Sequence, residues 1–279
     1  MNMRGYRIIL RINSSTPFIE YTGIVTKTLV FTLAPELSSI RGLKGVLSPI
    51  AISPPFKIKN DHELGELVAP IKILKKNINS SIEPITLNGE YVFHIGGGER
   101  LVNHIIKKIG ELQIPLAIKI GQTIVTYRIE KIVDITNEVK EKIESMHNRV
   151  RLYLKSPAQI FNVFTPTKLP KFSPTALELL IVPYALMQEM YTITEQVVVS
   201  AMPILGNLIE TWYSLNTLKP VIIQFKEKKQ IHLAGYVTYI VEPTNETIQN
   251  KIREILKATE LTGIGRSRMN GFGTAVVKL

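Results

Sequence analysis

The order of strand and helix patterns in the first half of the chain returns in the second half at a nearly constant distance. Each matching pair joins positions of the same pattern: two β-branched strands, two later strands and two amphipathic helices. The pairs are Arg7 and Val150, Val92 and Val237, and Ile105 and Ile252, which lie 143, 145 and 147 residues apart. A duplicated βαββαβ module accounts for this regularity.

The repeat predicts the fold class, an α+β protein made of tandem duplicated ferredoxin-like domains. The predicted domains are residues 1–140 and 141–279, joined near residues 137–148. Period-two and β-branched stretches predict strands at residues 7–12, 48–56, 71–74, 92–95, 116–120, 123–133, 150–154, 221–225, 232–241 and 273–279. Apolar side chains at helical spacing predict helices around residues 21–33, 101–112, 175–191, 196–208 and 244–256, with Thr244 as the cap of the last one.

The chain has 279 residues and no cysteine. Disulfides, thiolate metal sites and cysteine nucleophiles are therefore excluded, and a reducing cytoplasm suits the composition. The longest uncharged run, between Glu195 and Glu210, has 14 residues and is too short to span a bilayer. Because Arg4, Arg7 and Arg11 interrupt the first apolar stretch, it is unlike a signal peptide. We expect a soluble, cytoplasmic protein without a membrane partner.

Basic side chains clearly outnumber acidic ones. The 34 lysines and arginines against 23 aspartates and glutamates give a formal net charge of +11. Such an excess creates a positive field that attracts polyanions, so nucleic acid is the leading partner class. The alternative is a basic surface without a partner, since the charges form no long run and aromatic residues make up only 7% of the chain.

One segment combines four glycines with two arginines, between the last predicted helix and the last predicted strand. Amides of such a loop can surround an anion, and arginines can add charge-assisted contacts to phosphates. The alternative is a tight turn whose glycines adopt positive φ. A dinucleotide-binding GxGxxG is excluded because it would follow a strand and open a helix. The residues predicted to bind nucleic acid are Gly263, Gly265, Arg266, Ser267, Arg268 and Gly271 of this loop, and Lys228 and Lys229 of the predicted hairpin.

No pattern in the sequence predicts a metal or a cofactor. The three glycines at residues 96–98 precede a helix but lack any other phosphate fingerprint, so a plain loop is the preferred interpretation. GxSxG motifs and carboxylate pairs are also missing, which leaves acyl transfer and glycoside hydrolysis without support. The histidines lack the paired spacing of a zinc or non-haem iron site, and they are His62, His94, His104, His147 and His232.

Three segments carry a resemblance to a known family. The stretch Leu261–Gly273, with its two glycines, arginine pair and final Gly-Phe-Gly, resembles the glycine-rich loop of the CRISPR repeat-processing endoribonucleases of the RAMP superfamily. Residues Arg151–Pro157 resemble the first strand of that family's second domain, and Pro49–Ser53 adds a weaker match. The resemblance implies an enzyme that binds CRISPR repeat RNA and cuts it without metal, by attack of a ribose 2′-OH. The products it implies are a 2′,3′-cyclic phosphate and a 5′-OH.

The resemblance also implies candidate catalytic residues. The family often uses a histidine between the first helix and the second strand, whereas residues 21–53 of this chain contain none, as in archaeal members that lack it. Lys27 and Lys44 are therefore predicted to stabilise the phosphate's charge, and Tyr21 and Arg41 to position it. The alternative for these residues is that Tyr21 packs into the core and that Lys27 lies on a solvated helix surface. The alternatives are a non-cleaving RNA-binding subunit of a CRISPR interference complex, and a general basic RNA-binding protein. Assembly into a homodimer is left open.

Overall fold

The computed structural model describes residues 2–40, 45–59, 63–73, 82–160, 175–212 and 217–279. Within these ranges the chain forms six α-helices and thirteen β-strands. The helices are α1 (Gly23–Leu33), α2 (Glu99–Gly110), α3 (Thr136–Glu144), α4 (Ala176–Met187), α5 (Glu195–Leu205) and α6 (Glu246–Thr262). The strands are β1 (Met3–Ser14), β2 (Ile50–Ile52), β3 (Phe56–Ile58), β4 (Leu64–Leu67), β5 (Ile71–Ile73), β6 (Asn88–Gly98), β7 (Leu116–Ile120), β8 (Thr123–Asp134), β9 (Arg149–Ala158), β10 (Leu208–Trp212), β11 (Leu218–Phe225), β12 (Lys228–Val241) and β13 (Ala275–Lys278).

The first half folds around an antiparallel sheet with the order β4-β3-β6-β1-β8-β7, in which β2 also pairs with β6. Alternation along β1 sends Ile8, Leu10 and Ile12 to one face of the sheet. There they pack with buried side chains of α1 and α2, such as Leu29 and Ile105. The four strands β8-β1-β6-β3, with two helices on one face, are the order that a βαββαβ module requires.

The second half repeats this arrangement. Its antiparallel sheet has the order β13-β9-β12-β11-β5, and β10 pairs with the far end of β12. Val150, Leu152 and Leu154 of β9 point to the face covered by α4, α5 and α6. Strands β1 and β9, strands β6 and β12, and helices α2 and α6 hold equivalent places in the two sheets. The predicted tandem ferredoxin-like fold class is therefore confirmed.

Prolines divide one of the predicted strands. Residues 48–56, predicted as a single strand, form β2 and the start of β3, with Pro54 and Pro55 between them. Proline has no amide hydrogen to give to a sheet, so pairing stops there. The strand predicted at 71–74 also differs in its place, because β5 pairs with β11 of the second sheet, Ile73 lying opposite Val221. The segment between β4 and β5 thus crosses from one sheet to the other.

The predicted joint near residues 137–148 contains a helix. α3 lies there and packs against both β1 of the first half and α6 of the second. The boundary between residues 140 and 141 falls inside α3 and stays a prediction. The cap of α6 was predicted one residue too early: Asn245 has the extended backbone of a cap, and its Oδ1 accepts a hydrogen bond from Ile248 N at 3.0 Å.

The last turn of α6 lies directly against the first sheet. A Cβ atom on Gly96 of β6 would stand 1.6 Å from the carbonyl oxygen of Leu261, and one on Gly5 of β1 would stand 2.6 Å from the Leu261 side chain. Only glycine permits this approach. His94 donates from Nε2 to the same carbonyl oxygen at 2.7 Å. The end of α6, and the glycine-rich loop that follows it, are therefore held at a defined place on the first half.

The buried imidazole of His94 predicts a loss of stability in mild acid. Burial lowers the pKa of His94 from 6.5 to about 4. Because the unfolded chain binds the proton more tightly than the folded one, the contribution of His94 is present above pH 6.5 and is lost as the pH falls from 6.5 to 4. Between pH 7 and pH 5 this loss is about 2 kcal/mol of unfolding free energy.

Urea unfolding of the wild type and His94→Gln at both pH values measures the effect. The glutamine variant keeps a donor near Leu261 but does not titrate, so its unfolding free energy falls less between pH 7 and pH 5. The exposed His147 supplies the control, and His147→Gln keeps the wild-type pH dependence. A His94→Gln variant with the wild-type pH dependence contradicts the prediction.

Candidate nucleic-acid interface

The glycine-rich loop, residues 263–273, runs from the end of α6 to the start of β13 and is closed on itself. Ile264 N donates to the carbonyl oxygen of Gly273 at 2.8 Å, which joins the two ends of the loop. Arg266 N donates to Gln159 O, and Gly273 N to Pro157 O, both at 2.9 Å. These two bonds attach the loop to the end of β9 and the residues after it. The loop is thus a fixed part of the second half.

The glycines allow the backbone of the loop to pack closely. Gly263, Gly265 and Gly271 have φ values of 69°, 68° and 87°, which other residues rarely adopt. A Cβ on Gly265 would lie 2.3 Å from Gln159 O. The amides of Gly263 and Gly271 donate to Thr259 O and Arg268 O within the protein. The tight-turn alternative therefore describes these glycines, and these two predicted amides are already occupied.

The two arginines of the loop have different environments. The Arg268 side chain is buried, with 2% exposure, and its guanidinium donates to the carbonyl oxygens of Thr262, at 2.9 Å, and Ser48. Burial lowers the pKa of Arg268. The prediction that Arg268 reaches phosphates is corrected, because its donors hold α6 to the segment before β2. Arg266 and Ser267 are exposed on the surface of the loop.

A stack of three rings joins the loop to both halves. The ring of Phe272 lies 4.5 Å from the ring of Tyr21, which precedes α1, and 4.5 Å from that of His232 on β12. The Tyr21 hydroxyl donates to Gly271 O at 2.8 Å. Tyr21 is fully buried, and burial raises its pKa. It was predicted to position a phosphate directly, whereas the structure gives it a place beneath the loop.

His232 is a member of the stack that the sequence did not reveal. Its side chain is 2% exposed, and burial lowers its pKa to about 4. Nε2 lies 3.1 Å from Gln230 Oε1, while Nδ1 is buried without a hydrogen-bond partner among the described residues. The sequence places His232 in a predicted strand, and a strand pattern does not reveal a contact with Phe272.

Lys27 contacts the loop from the first half of the chain. It lies one turn into α1, its Nζ donates to Asn270 Oδ1, and the same atom is 5.6 Å from the centre of the Phe31 ring. The start of α1 is pressed against the loop, since a Cβ on Gly23 would stand 2.1 Å from Asn270 O. Arg41 and Lys44, the other basic candidates, lie outside the described residues, as does His62.

The predicted basic hairpin is present and stands next to the loop. Lys228 and Lys229 are exposed at the start of β12, after a turn in which Lys226 and Glu227 have positive φ. Directly before this turn, the ring of Phe225 meets Phe272 edge-on at 5.3 Å. The fold therefore brings one end of α1, the glycine-rich loop and the β11–β12 hairpin together. We call these three elements the loop junction.

The described residues contain neither a candidate metal site nor a candidate membrane-spanning helix. Among these residues, no three His, Asp or Glu side chains are placed so that they could share a metal ion. None of the helices in the same ranges is long and apolar enough to cross a membrane.

Comparison with solved structures shows where this fold occurs. Cas6 from Thermus thermophilus, solved as a product complex, matches with a TM-score of 0.64 and 13% identity over 99% of this chain and 100% of that chain. A Cas6-related protein from Pyrococcus furiosus matches with a TM-score of 0.57 and 14% identity over 98% of both chains. A RAMP protein described as binding different RNA substrates matches at 0.53 and 14%, over 99% of this chain and 100% of that one. No known family profile and no curated protein matches the sequence. At these identities the likeness shows the fold.

The hydrogen bond from Tyr21 to Gly271 predicts a specific cost of mutation. Tyr21→Phe keeps the ring stack but leaves a buried carbonyl oxygen without its donor, so we expect it to lower the unfolding free energy by about 1–3 kcal/mol. Urea unfolding measures this cost. Tyr6→Phe is the matched control, because the Tyr6 hydroxyl bonds to Asn103 at an exposed site and should cost much less. Equal losses in the two variants contradict the assigned role of Tyr21.

Proposed function

We propose that this protein binds CRISPR repeat RNA and cuts the precursor transcript within each repeat. The observation that carries the proposal is the loop junction, where a glycine-rich loop, a basic hairpin and Lys27 of α1 meet. The proposal is supported by the fold, which over nearly the whole chain is that of solved Cas6 and RAMP proteins. The excess of 34 basic over 23 acidic residues suits a polyanionic substrate.

The proposed reaction needs no metal ion. The 2′-oxygen of a ribose forms a bond to the adjacent phosphorus while the bond to the 5′-oxygen of the next nucleotide breaks. The 2′-OH loses a proton and the leaving oxygen gains one. The products are a 2′,3′-cyclic phosphate and a 5′-OH. Holding the 2′-OH in line with the leaving oxygen supplies much of the acceleration, and a cation beside the phosphate stabilises the added charge.

We assign the residues by their environment in the loop junction. Lys27 is the electrostatic group, because its Nζ already lies at the surface of the loop beside Asn270. Arg266 and Ser267, which are exposed, are the loop residues that contact RNA, together with Lys228 and Lys229 of the hairpin. Tyr21 and Arg268 act as positioning residues that hold the loop from beneath. Lys44 and Arg41 remain proposed on the resemblance alone.

The two halves have different tasks in this proposal. Residues 1–140 supply Lys27, and residues 141–279 supply the loop and the hairpin.

His94 and His232 are both buried, and the pKa of each is lowered to about 4. A group that is buried and neutral at pH 7 makes a poor proton carrier for a surface-bound RNA, so we propose that neither histidine is the general base.

A second function uses the same interface without cleavage. The protein would then be an RNA-binding subunit of a CRISPR interference complex. The observation in its favour is the burial of Tyr21. Of the two candidate catalytic residues that the structure describes, only Lys27 then reaches the surface of the loop junction. Incubation with repeat RNA separates the two functions, since only the enzyme gives a product.

Cleavage of end-labelled repeat RNA in the presence of EDTA tests the enzyme. We expect one discrete product with a 2′,3′-cyclic phosphate end. A single 2′-deoxy substitution just upstream of the cut should abolish cleavage and leave binding nearly unchanged, because the nucleophile is removed and the phosphates remain. Cleavage of the deoxy substrate contradicts the mechanism. A shifted band without product favours the non-cleaving subunit.

The same assay examines the role of Lys27. Lys27→Ala should slow single-turnover cleavage by about tenfold to a thousandfold, the range for loss of one preorganised electrostatic group, with little change in RNA affinity. Lys140→Ala, which removes an exposed lysine of α3, is the control and should cleave at the wild-type rate. Equal rates for the two variants exclude Lys27 from the reaction.

The two loop arginines should respond differently to mutation. Arg266→Ala should weaken repeat binding and lower the salt dependence of log K by about 0.7 to 0.9, the change expected for one lost phosphate contact. Arg268→Ala should instead lower the unfolding free energy, since it leaves the carbonyl oxygens of Thr262 and Ser48 without their donors. Arg128→Ala, on the exposed surface of β8, is the binding control. An unchanged salt slope for Arg266→Ala removes it from the interface.

A further inference from the structure

Two tyrosines lie side by side on the face of the second sheet that is opposite its helices. Tyr153 of β9 is paired in register with Tyr236 of β12, and these are the two central strands of the β13-β9-β12-β11 order. Their ring centres are 5.0 Å apart, with an angle of 35° between the planes. Neighbouring residues Leu152 and Leu154 point to the helix-covered core, so the tyrosines point to the opposite face, where they are partly exposed. This pair lies outside the loop junction.

A cationic group lies over each ring of this pair. The Arg151 guanidinium is 4.9 Å from the centre of the Tyr236 ring and donates to the Tyr153 hydroxyl at 3.2 Å. The Lys278 ammonium, on β13, is 4.9 Å from the centre of the Tyr153 ring. Among the described residues, neither Arg151 nor Lys278 forms an ion pair. Two cations thus share one patch without an anion to neutralise them.

The first half of the chain supplies an internal comparison. On β1 and β6, Ile9 and Val92 form a register pair on the corresponding face, and they lie 144 positions before Tyr153 and Tyr236. They are 4% and 0% exposed, because Phe56 and other side chains of β3 and β4 cover them. One copy of the module therefore has a covered aliphatic pair at this place. The other copy has an open aromatic pair with cations.

The chemistry of the patch fits unpaired nucleotides. Aromatic rings on the central strands of a four-stranded βαββαβ sheet are a known means of stacking bases, and neighbouring cations take the phosphates. If the tyrosines packed against Arg151 only for stability, the presence of a second cation in the same patch would have no explanation. A duplex offers no exposed base faces to such a surface, so the ligand is single-stranded.

We propose that the patch formed by Arg151, Tyr153, Tyr236 and Lys278 is a second RNA-binding site that stacks one or two unpaired bases of the bound transcript. This inference rests on the proposed function for the identity of the polymer. It adds a site on the helix-free face of the second sheet, separate from the loop junction, and a preference for unpaired segments.

Fluorescence anisotropy with a labelled short oligouridine tests the site on the full chain. Tyr153→Leu/Tyr236→Leu should weaken binding by about tenfold or more, the usual loss when base stacking is removed. Tyr153→Phe/Tyr236→Phe keeps both rings and should bind within about twofold of the wild type. Tyr191→Leu, which removes a tyrosine of 36% exposure after α4, is the control and should not change the affinity. Circular dichroism and thermal unfolding verify that each variant is folded.

The outcomes distinguish this site from the proposed function. Oligouridine has no repeat sequence and is not a cleavage substrate, so its binding does not depend on the proposed cleavage, and the difference between the leucine variant and the wild type reports on the patch. If folded Tyr153→Leu/Tyr236→Leu binds oligouridine as the wild type does, the second site is excluded even when repeat RNA is cleaved. If the leucine variant fails to fold, Arg151→Gln/Lys278→Gln replaces it, and an unchanged affinity there overturns the inference equally. Loss of oligouridine binding in a protein that does not cleave repeats supports the site and contradicts only the enzyme.

Discussion

The contact between the last turn of α6 and the first sheet governs the arrangement of the molecule. Leu261 can reach the sheet only because Gly5 and Gly96 lack side chains, and His94 satisfies the carbonyl oxygen that this approach buries. The glycine-rich loop starts two residues later, so its position follows from this contact. A larger residue at Gly96 would displace α6 and, with it, the loop.

The glycine-rich loop forms a rigid connection between the two halves. Phe272 stacks between Tyr21 of the first half and His232 of the second, and Arg268 links the end of α6 to the segment before β2. Many polar groups of the loop form hydrogen bonds within the protein. The surface it presents is therefore small and basic, with Arg266 and Ser267 outside and Lys27 alongside. Rigidity of this kind suits the proposed task of holding an RNA backbone in one geometry.

Duplication explains how one chain can present two different basic surfaces. Both halves use the same strand order, and both bury the same face of the sheet under helices. On the opposite face of the first sheet, side chains of β3 and β4 pack over Ile9 and Val92, whereas in the second half Tyr153 and Tyr236 stay partly exposed. The loop junction and the sheet face are thus separate products of one repeated module, and each concentrates part of the net charge of +11.

The sequence alone determined the fold class, most of the helices and strands, and the position of the glycine-rich loop, because periodicity, spacing and glycine content are local properties of the chain. Lys27, implied by the family resemblance, and Arg266 remain proposed site residues. Tertiary structure alone decided that Tyr21 and Arg268 lie beneath the loop, that β5 joins the second sheet, and that His232 stacks on Phe272. These facts depend on contacts between residues that are far apart in the chain. The sequence around a charged or aromatic residue does not show whether its side chain is packed or exposed.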